Sequence, residues 1–168
     1  GDSAGGGLAA CLVQRDHDER RSAGDAAGPG IAFQLLVYPM LDDRTCLSDP
    51  PIGVGELGWT PASNRFGWAS YLGAEPGAAS APPYAAAARR DSLAGLPPAW
   101  IGVGTTDLFH AEDVAYAERL RTDGVPVTLD VLEGLYHAAD AMAPAASLSK
   151  RFREAQLDAL RTGLGLDA

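Results

Sequence analysis

Gly1-Asp2-Ser3-Ala4-Gly5-Gly6-Gly7 is the stretch from which the rest of the chain is read. It holds G-x-S-x-G, with Gly1, Ser3 and Gly5 at the required positions. That spacing suits a nucleophile elbow, a sharp turn from strand into helix with the serine on the strained turn. The residues two places to either side must be small so that strand and helix can approach. Such a turn lifts the serine Oγ above the sheet and aims the N–H groups of the helix start at the same space. Leu8-Ala9-Ala10-Cys11-Leu12-Val13 comes next, apolar on every face, and predicts a helix over 4–15 buried against a sheet. A chain with 20 glycines also produces this pattern as a plain Gly-rich turn. The residues downstream decide between the two.

The chain has 168 residues, enough for one domain with its own core, of ordinary composition at 46% apolar and 21% charged. A net charge of −9 argues against nucleic acid and anionic membrane surfaces as partners, since both need clustered Lys and Arg. No apolar run reaches the roughly 18 residues that span a bilayer. Cys11 and Cys46 form no zinc signature, and spacing alone pairs them in no disulfide. A reducing compartment, the cytoplasm, is the default reading. A signal peptide stays open, because the chain begins inside a motif that a strand should precede. The expectation is therefore a single domain over 1–168, incomplete on its N-terminal side. The alternative is a small complete domain with a Gly-rich start.

Helix and strand signals alternate along the rest of the chain. After the first helix, residues 16–30 are predicted as a solvated helix end and loop. Asp16, His17, Asp18 and Glu19 read there as mixed-charge surface rather than as metal ligands. Ile31–Tyr38 is short, apolar and bounded by Gly30 and Pro39, as a strand buried on both faces should be. Residues 39–62 are irregular. Gly53, Gly55 and Gly58 match G-x-G-x-x-G, but they come after Pro50-Pro51 rather than a strand, so no dinucleotide site is read there. A helix with aromatic packing is predicted over 63–73, and a connection over 74–98. A second buried strand is predicted over 99–104 and an amphipathic helix over 110–123, with Val114, Ala117 and Leu120 on one stripe. A third strand over 127–132 alternates more clearly, as a strand nearer an edge would. A last helix over 147–162 turns Leu148, Phe152, Ala155 and Ala159 inward. The order predicts an α/β architecture with a parallel sheet flanked by helices.

In such sheets reactive groups gather at the carboxyl ends of strands. Ser3 stands at one such end, Asp107 comes after the strand at 99–104, and His137 after the strand at 127–132. The order Ser, Asp, His is that of an elbow hydrolase and differs from other serine-hydrolase folds. A serine hydroxyl is a weak nucleophile until a base takes its proton, and histidine suits that work near neutral pH. Asp107 would hold the imidazole tautomer, and the N–H of Ala4 would supply one oxyanion-hole donor. For Asp107 the competing role is capping the helix at 110, with Glu112 or Asp113 as substitute acids. Of the three histidines, His17 lies in the charged run and His110 is too close to Asp107 in sequence. Leu108, Phe109 and Tyr136 flank these positions and are candidates for a substrate pocket, although packing explains them equally well.

The passages GDSAGGGLAA (1–10), FQLLVYPMLDDR (33–44), WASYLG (68–73), LAGLPPAWIGVGTTDLF (93–109) and AEDVAYAERLRTDGVPVTLDVLEGLYH (111–137) carry a resemblance. In this order and spacing the chain resembles the C-terminal part of bacterial hormone-sensitive-lipase-like esterases, an α/β-hydrolase fold family. The resemblance implies hydrolysis of carboxylic esters with short or medium acyl chains. It implies Ser3 as nucleophile, Asp107 as acid and His137 as base, no metal or cofactor, and often a homodimer through the last strand and helix. Two features depart from it. Ala138-Ala139 stand where the family has a glycine and an aromatic residue. The upstream H-G-G-G segment, which carries further oxyanion-hole donors, is absent from this chain, and one lost donor costs about 10²–10³ in turnover. Residues 1–168 alone are therefore expected to fold poorly, with an exposed sheet edge, and to be nearly inactive. The competing readings are an amidase or peptidase with the same triad, a non-catalytic small-molecule binder on the same fold, and an inactive truncated fragment.

Overall fold

A computed structural model describes residues 1–24 and 29–166. Apolar strand runs bracketed by Pro and Gly form the centre. β1 (Gln34–Val37), β2 (Ala99–Gly104) and β3 (Val127–Leu132) make a parallel sheet in the order β1-β2-β3. Gln34 pairs with Ala99 and Val37 with Gly102, while Ala99 pairs with Val127 and Gly104 with Leu132. Asp2 adds a parallel bridge to Val37 on the outer side of β1. The Gly1 amino group donates to Leu35 O (2.8 Å) and Val37 N–H donates to Gly1 O (3.0 Å), so the chain enters the first helix from the plane of the sheet.

Helices cover both faces. α1 (Ser3–Ala23) and α3 (His110–Thr122) share a core with Leu36 and Ile101 through Ala10, Cys11, Val13, Tyr116, Ala117 and Leu120. α5 (Ser147–Gly163) packs Phe152 against Val37, Trp100 and Leu132 on the other face. Successive strand residues point to opposite faces, which is why 36 and 37, or 100 and 101, serve different cores. α2 (Pro61–Leu72) starts on a Thr60 cap with Pro61 in the first turn, and buries Trp68 beside Met40 and Phe109. A single turn, α4 (Ala139–Met142), lies between β3 and α5. No helix among the described residues is long and apolar enough to cross a membrane.

Four expectations need correction. α1 runs to Ala23 rather than stopping near 15, because the charged residues continue it through Arg15–Glu19 and Asp16–Arg20 pairs one turn apart. It is not buried all round either. Leu8 and Leu12 are 54% and 59% exposed, since only one face meets the sheet. β1 is four residues rather than eight, because Tyr38 leaves the strand at φ 35°. The buried face of α3 carries Glu112 and Asp113 as well as its apolar residues. Residues 25–28 of the expected loop lie outside the described residues. The acidic run at 16–19 meets arginines: Asp16 pairs with Arg20, Asp18 with Arg90 and Glu19 with Arg15.

Candidate active site

Ser3 has φ 50°, a left-handed conformation that a non-glycine residue holds only when its surroundings enforce it, at about 1–3 kcal/mol. The enforcement is visible. A Cβ on Gly1 would lie 2.4 Å from Gly5 O, one on Gly6 2.9 Å from Pro39 Cβ, and one on Gly7 2.0 Å from Met40 O. Met40 N–H also donates to Ser3 O (3.0 Å). Gly5, by contrast, has room: a Cβ there meets nothing nearer than Asp2 Oδ1 at 3.8 Å. Gly6 and Gly7 thus let this turn approach the chain after β1, and Gly1 lets the turn close on itself at Gly5.

Asp107 and His137 stand on the loops that leave β2 and β3. Gly104 brings these loops together, since a Cβ there would lie 1.8 Å from Leu135 O. Asp107 is fully buried and His137 is 4% exposed. Asp107 Oδ1 accepts Phe109 N–H (2.9 Å), and Oδ2 lies 2.9 Å from His137 Nδ1. A carboxylate can only accept, so the imidazole proton sits on Nδ1. That leaves the Nε2 lone pair for Ser3 Oγ, 2.9 Å away. Ser3, His137 and Asp107 are therefore hydrogen-bonded in series. Ala4 is the second residue of α1, so its N–H is among those without an acceptor in their own helix.

Aromatic rings fix the imidazole. Phe109 meets it edge-on at 5.2 Å between centroids, Tyr38 at 4.7 Å and Trp59 at 6.2 Å. The glycines of the G-x-G-x-x-G segment all have positive φ and form a loop against this site. Gly55 N–H donates to Thr106 O (3.0 Å), and a Cβ on Gly58 would lie 2.0 Å from His137 O. Ala138, directly after the histidine, has φ 59°. It takes the conformation that glycine adopts freely, at the position where the sequence departs from the resemblance.

Beside Ser3 lies an apolar cavity of 230 Å³, lined by Met40, Trp59, Gly67, Trp68 and Tyr71 together with Leu8 and the helix start. The sequence pointed elsewhere for these walls. Leu108 and Phe109 are buried in the core under α2, and Tyr136 packs toward Phe152. The aromatic content of the predicted helix at 63–73 was the one signal in the sequence for the walls of this cavity. His110 and His17 stay apart from this group: His110 borders a separate cavity beside Thr45, and His17 lies against Gly95.

Two carboxyls near the site are unusual. Glu112 is buried, and its carboxyl accepts from Leu41 N (2.6 Å), Asp42 N (3.1 Å) and Thr45 Oγ. Burial still pushes it up to about 8. Burial, with Glu112 and Asp107 near, raises Asp113 well above the carboxylate range.

A family model described as the alpha/beta hydrolase fold matches residues 1–141. Esterase LipI of Mycobacterium tuberculosis is 37% identical over 143 residues, covering 82% of this chain and 40% of the relative. The carboxylic ester hydrolase LipN of the same organism is 33% identical over 139 residues, covering 82% and 35%. Among solved structures, a bacterial heroin esterase is similar with a TM-score of 0.82 and 33% identity, over 98% of this chain and 50% of that one. The chain thus spans half or less of the length of these relatives.

Proposed function

The chain belongs to the alpha/beta hydrolase fold family, and from that premise we propose that it carries the catalytic triad of a carboxylic ester hydrolase. Ser3 is the nucleophile, His137 the general base and Asp107 the residue that orients the imidazole and balances its charge. The observation that carries this reading is the unbroken series from Ser3 Oγ through His137 to Asp107, starting from a serine held at positive φ.

Ser3 Oγ attacks the ester carbonyl carbon while its proton passes to His137 Nε2. The carbonyl oxygen becomes an oxyanion facing the Ala4 N–H. Asp107 stabilises the imidazolium through Nδ1. The C–O bond to the alcohol breaks, and His137 returns the proton to the departing oxygen. The acyl group remains on Ser3. Water then attacks the acyl carbon with His137 again as base, the acid leaves, and Ser3 regains its proton. The scheme uses no metal or cofactor. The apolar cavity beside Ser3 suits a short or medium acyl chain, held by burial against Trp59, Trp68 and Tyr71.

The test is hydrolysis of p-nitrophenyl butyrate by the full-length protein beside Ser3→Ala. Turnover is expected to fall by more than about 10³-fold in the variant. A Ser3→Ala protein that keeps its turnover would overturn the assignment.

A further inference from the structure

His137 belongs to no regular element. It lies on the segment between β3 and α4, and α4 is one turn long with Ala138 as its N-cap and no side-chain cap. One turn does not hold itself together. Something outside must fix the backbone that carries the imidazole. Before the histidine, Thr106 Oγ1 donates to Leu135 O (2.9 Å) and Thr105 Oγ1 accepts Gly134 N–H (3.0 Å). After it, among the described residues, two side chains bond the single turn. Ser149 Oγ donates to Ala139 O (3.1 Å) from α5, and Tyr38 Oη donates to Asp140 Oδ1 (2.9 Å) from the end of β1.

Tyr38 is built as an anchor. It is 3% exposed, its N–H donates to Gly102 O (2.7 Å), and its backbone is kept at φ 35°. Its ring packs between the imidazole, at 4.7 Å, and Phe152, at 6.0 Å. One side chain therefore touches His137 directly and ties down the turn three residues beyond it. A strained, buried tyrosine with its hydroxyl on a carboxylate is more than core filling demands, since phenylalanine would fill the same space.

We propose that Tyr38, through its hydrogen bond to Asp140, is a positioning residue that holds the His137 imidazole at hydrogen-bonding distance from Ser3. The proposal rests on the reading of Ser3 and His137 as nucleophile and base.

The experiment uses the full-length protein with Tyr38→Phe, Asp140→Ala, Asp140→Asn and the double variant Tyr38→Phe/Asp140→Ala. Tyr38→Phe keeps the ring and removes only the hydroxyl, and Asp140→Asn keeps an oxygen acceptor. Tyr38→Phe and Asp140→Ala are each expected to lower kcat on p-nitrophenyl butyrate about tenfold with KM within about twofold, as misplacement of a reacting group does. The double variant should be no worse than either single one, because both break the same contact. Asp140→Asn should restore most of kcat. Hydrogen exchange of the amides over 138–143 should quicken in Tyr38→Phe and Asp140→Ala while β2 stays protected. Unchanged exchange overturns the clamp. Quickened exchange with unchanged kcat makes Tyr38 a merely structural residue and overturns positioning. If the parent protein shows no turnover, the esterase reading fails on its own, and exchange still decides whether Tyr38 holds the His137 loop.

Discussion

At the carboxyl ends of the strands, Ser3, Tyr38 and Ala138 all sit at positive φ, and Asp107 and His137 are buried in a closed hydrogen-bond series. At the amino ends, Phe33, Pro98, Pro126 and the second half of α5 line a cavity of 780 Å³, against 230 Å³ beside Ser3. Among the described residues the larger hollow has ordinary apolar walls and no buried acid–base group, with Asp158 at its rim paired to the exposed Arg161. Volume and chemistry lie at opposite ends of one sheet. Parallel strands send all their departing loops to the same end, so reactive side chains accumulate there, while the other end has only packing to satisfy.

One added methyl at each end puts that contrast at greatest risk. At Gly104 the new Cβ would meet the Leu135 carbonyl at 1.8 Å, and backbone cannot step aside. Gly104→Ala should cost about 3 kcal/mol or more. At Gly163 the new Cβ meets the ring of Phe33 at 2.3 Å, a partly exposed side chain rather than backbone. Gly163→Ala should stay within about 1 kcal/mol of the parent, helped by alanine's helix propensity. Urea unfolding of the two full-length variants decides it; equal costs would mean that the two ends are packed alike.

Glu112 extends the contrast to pH. Its folded pKa is raised to about 8 from an ordinary 4.5. The folded state therefore holds a proton that the unfolded chain releases, and stability falls as pH rises from about 4.5 towards 8. Glu112→Gln should flatten that part of the curve. The check is the urea midpoint at pH 5 and pH 8 for parent and variant. Parallel curves would show that Glu112 is ionised in the fold.

The smallest effect expected is at Ala138. Glycine relieves the left-handed strain but loosens the unfolded chain, so Ala138→Gly should gain about 0.5–1 kcal/mol net. A thermal melt that drops instead would show that the Ala138 methyl packs more usefully than its backbone strain costs.

Much of this was legible in the sequence because punctuation was clear. β2 and β3 begin after Pro98 and Pro126 and end near glycine, and both match their predicted bounds. Ser3, Asp107 and His137 could be named because each stands at a strand end. Other features depend on tertiary contact. Met40 and Trp59 come from an irregular segment whose path no periodicity describes, so the cavity walls were missed. α4 is a lone turn in an alanine-rich stretch with no cap to announce it. The stripe of Ala117 and Leu120 does face the core, but it gave no sign that the same inner face of α3 also takes in Glu112 and Asp113. The charged run in α1 read as a solvated helix end leading into a loop, although ion pairs one turn apart carry the helix through it to Ala23.

The triad is probed at its reacting atom by treating the full-length protein with diethyl p-nitrophenyl phosphate and locating the stable adduct by peptide mass spectrometry. One diethylphosphoryl group is expected on Ser3, formed at least about 10³-fold more slowly in His137→Ala. A protein that hydrolyses p-nitrophenyl butyrate yet carries the phosphoryl group on another residue, with Ser3 unmodified, would contradict the assignment of Ser3 as nucleophile.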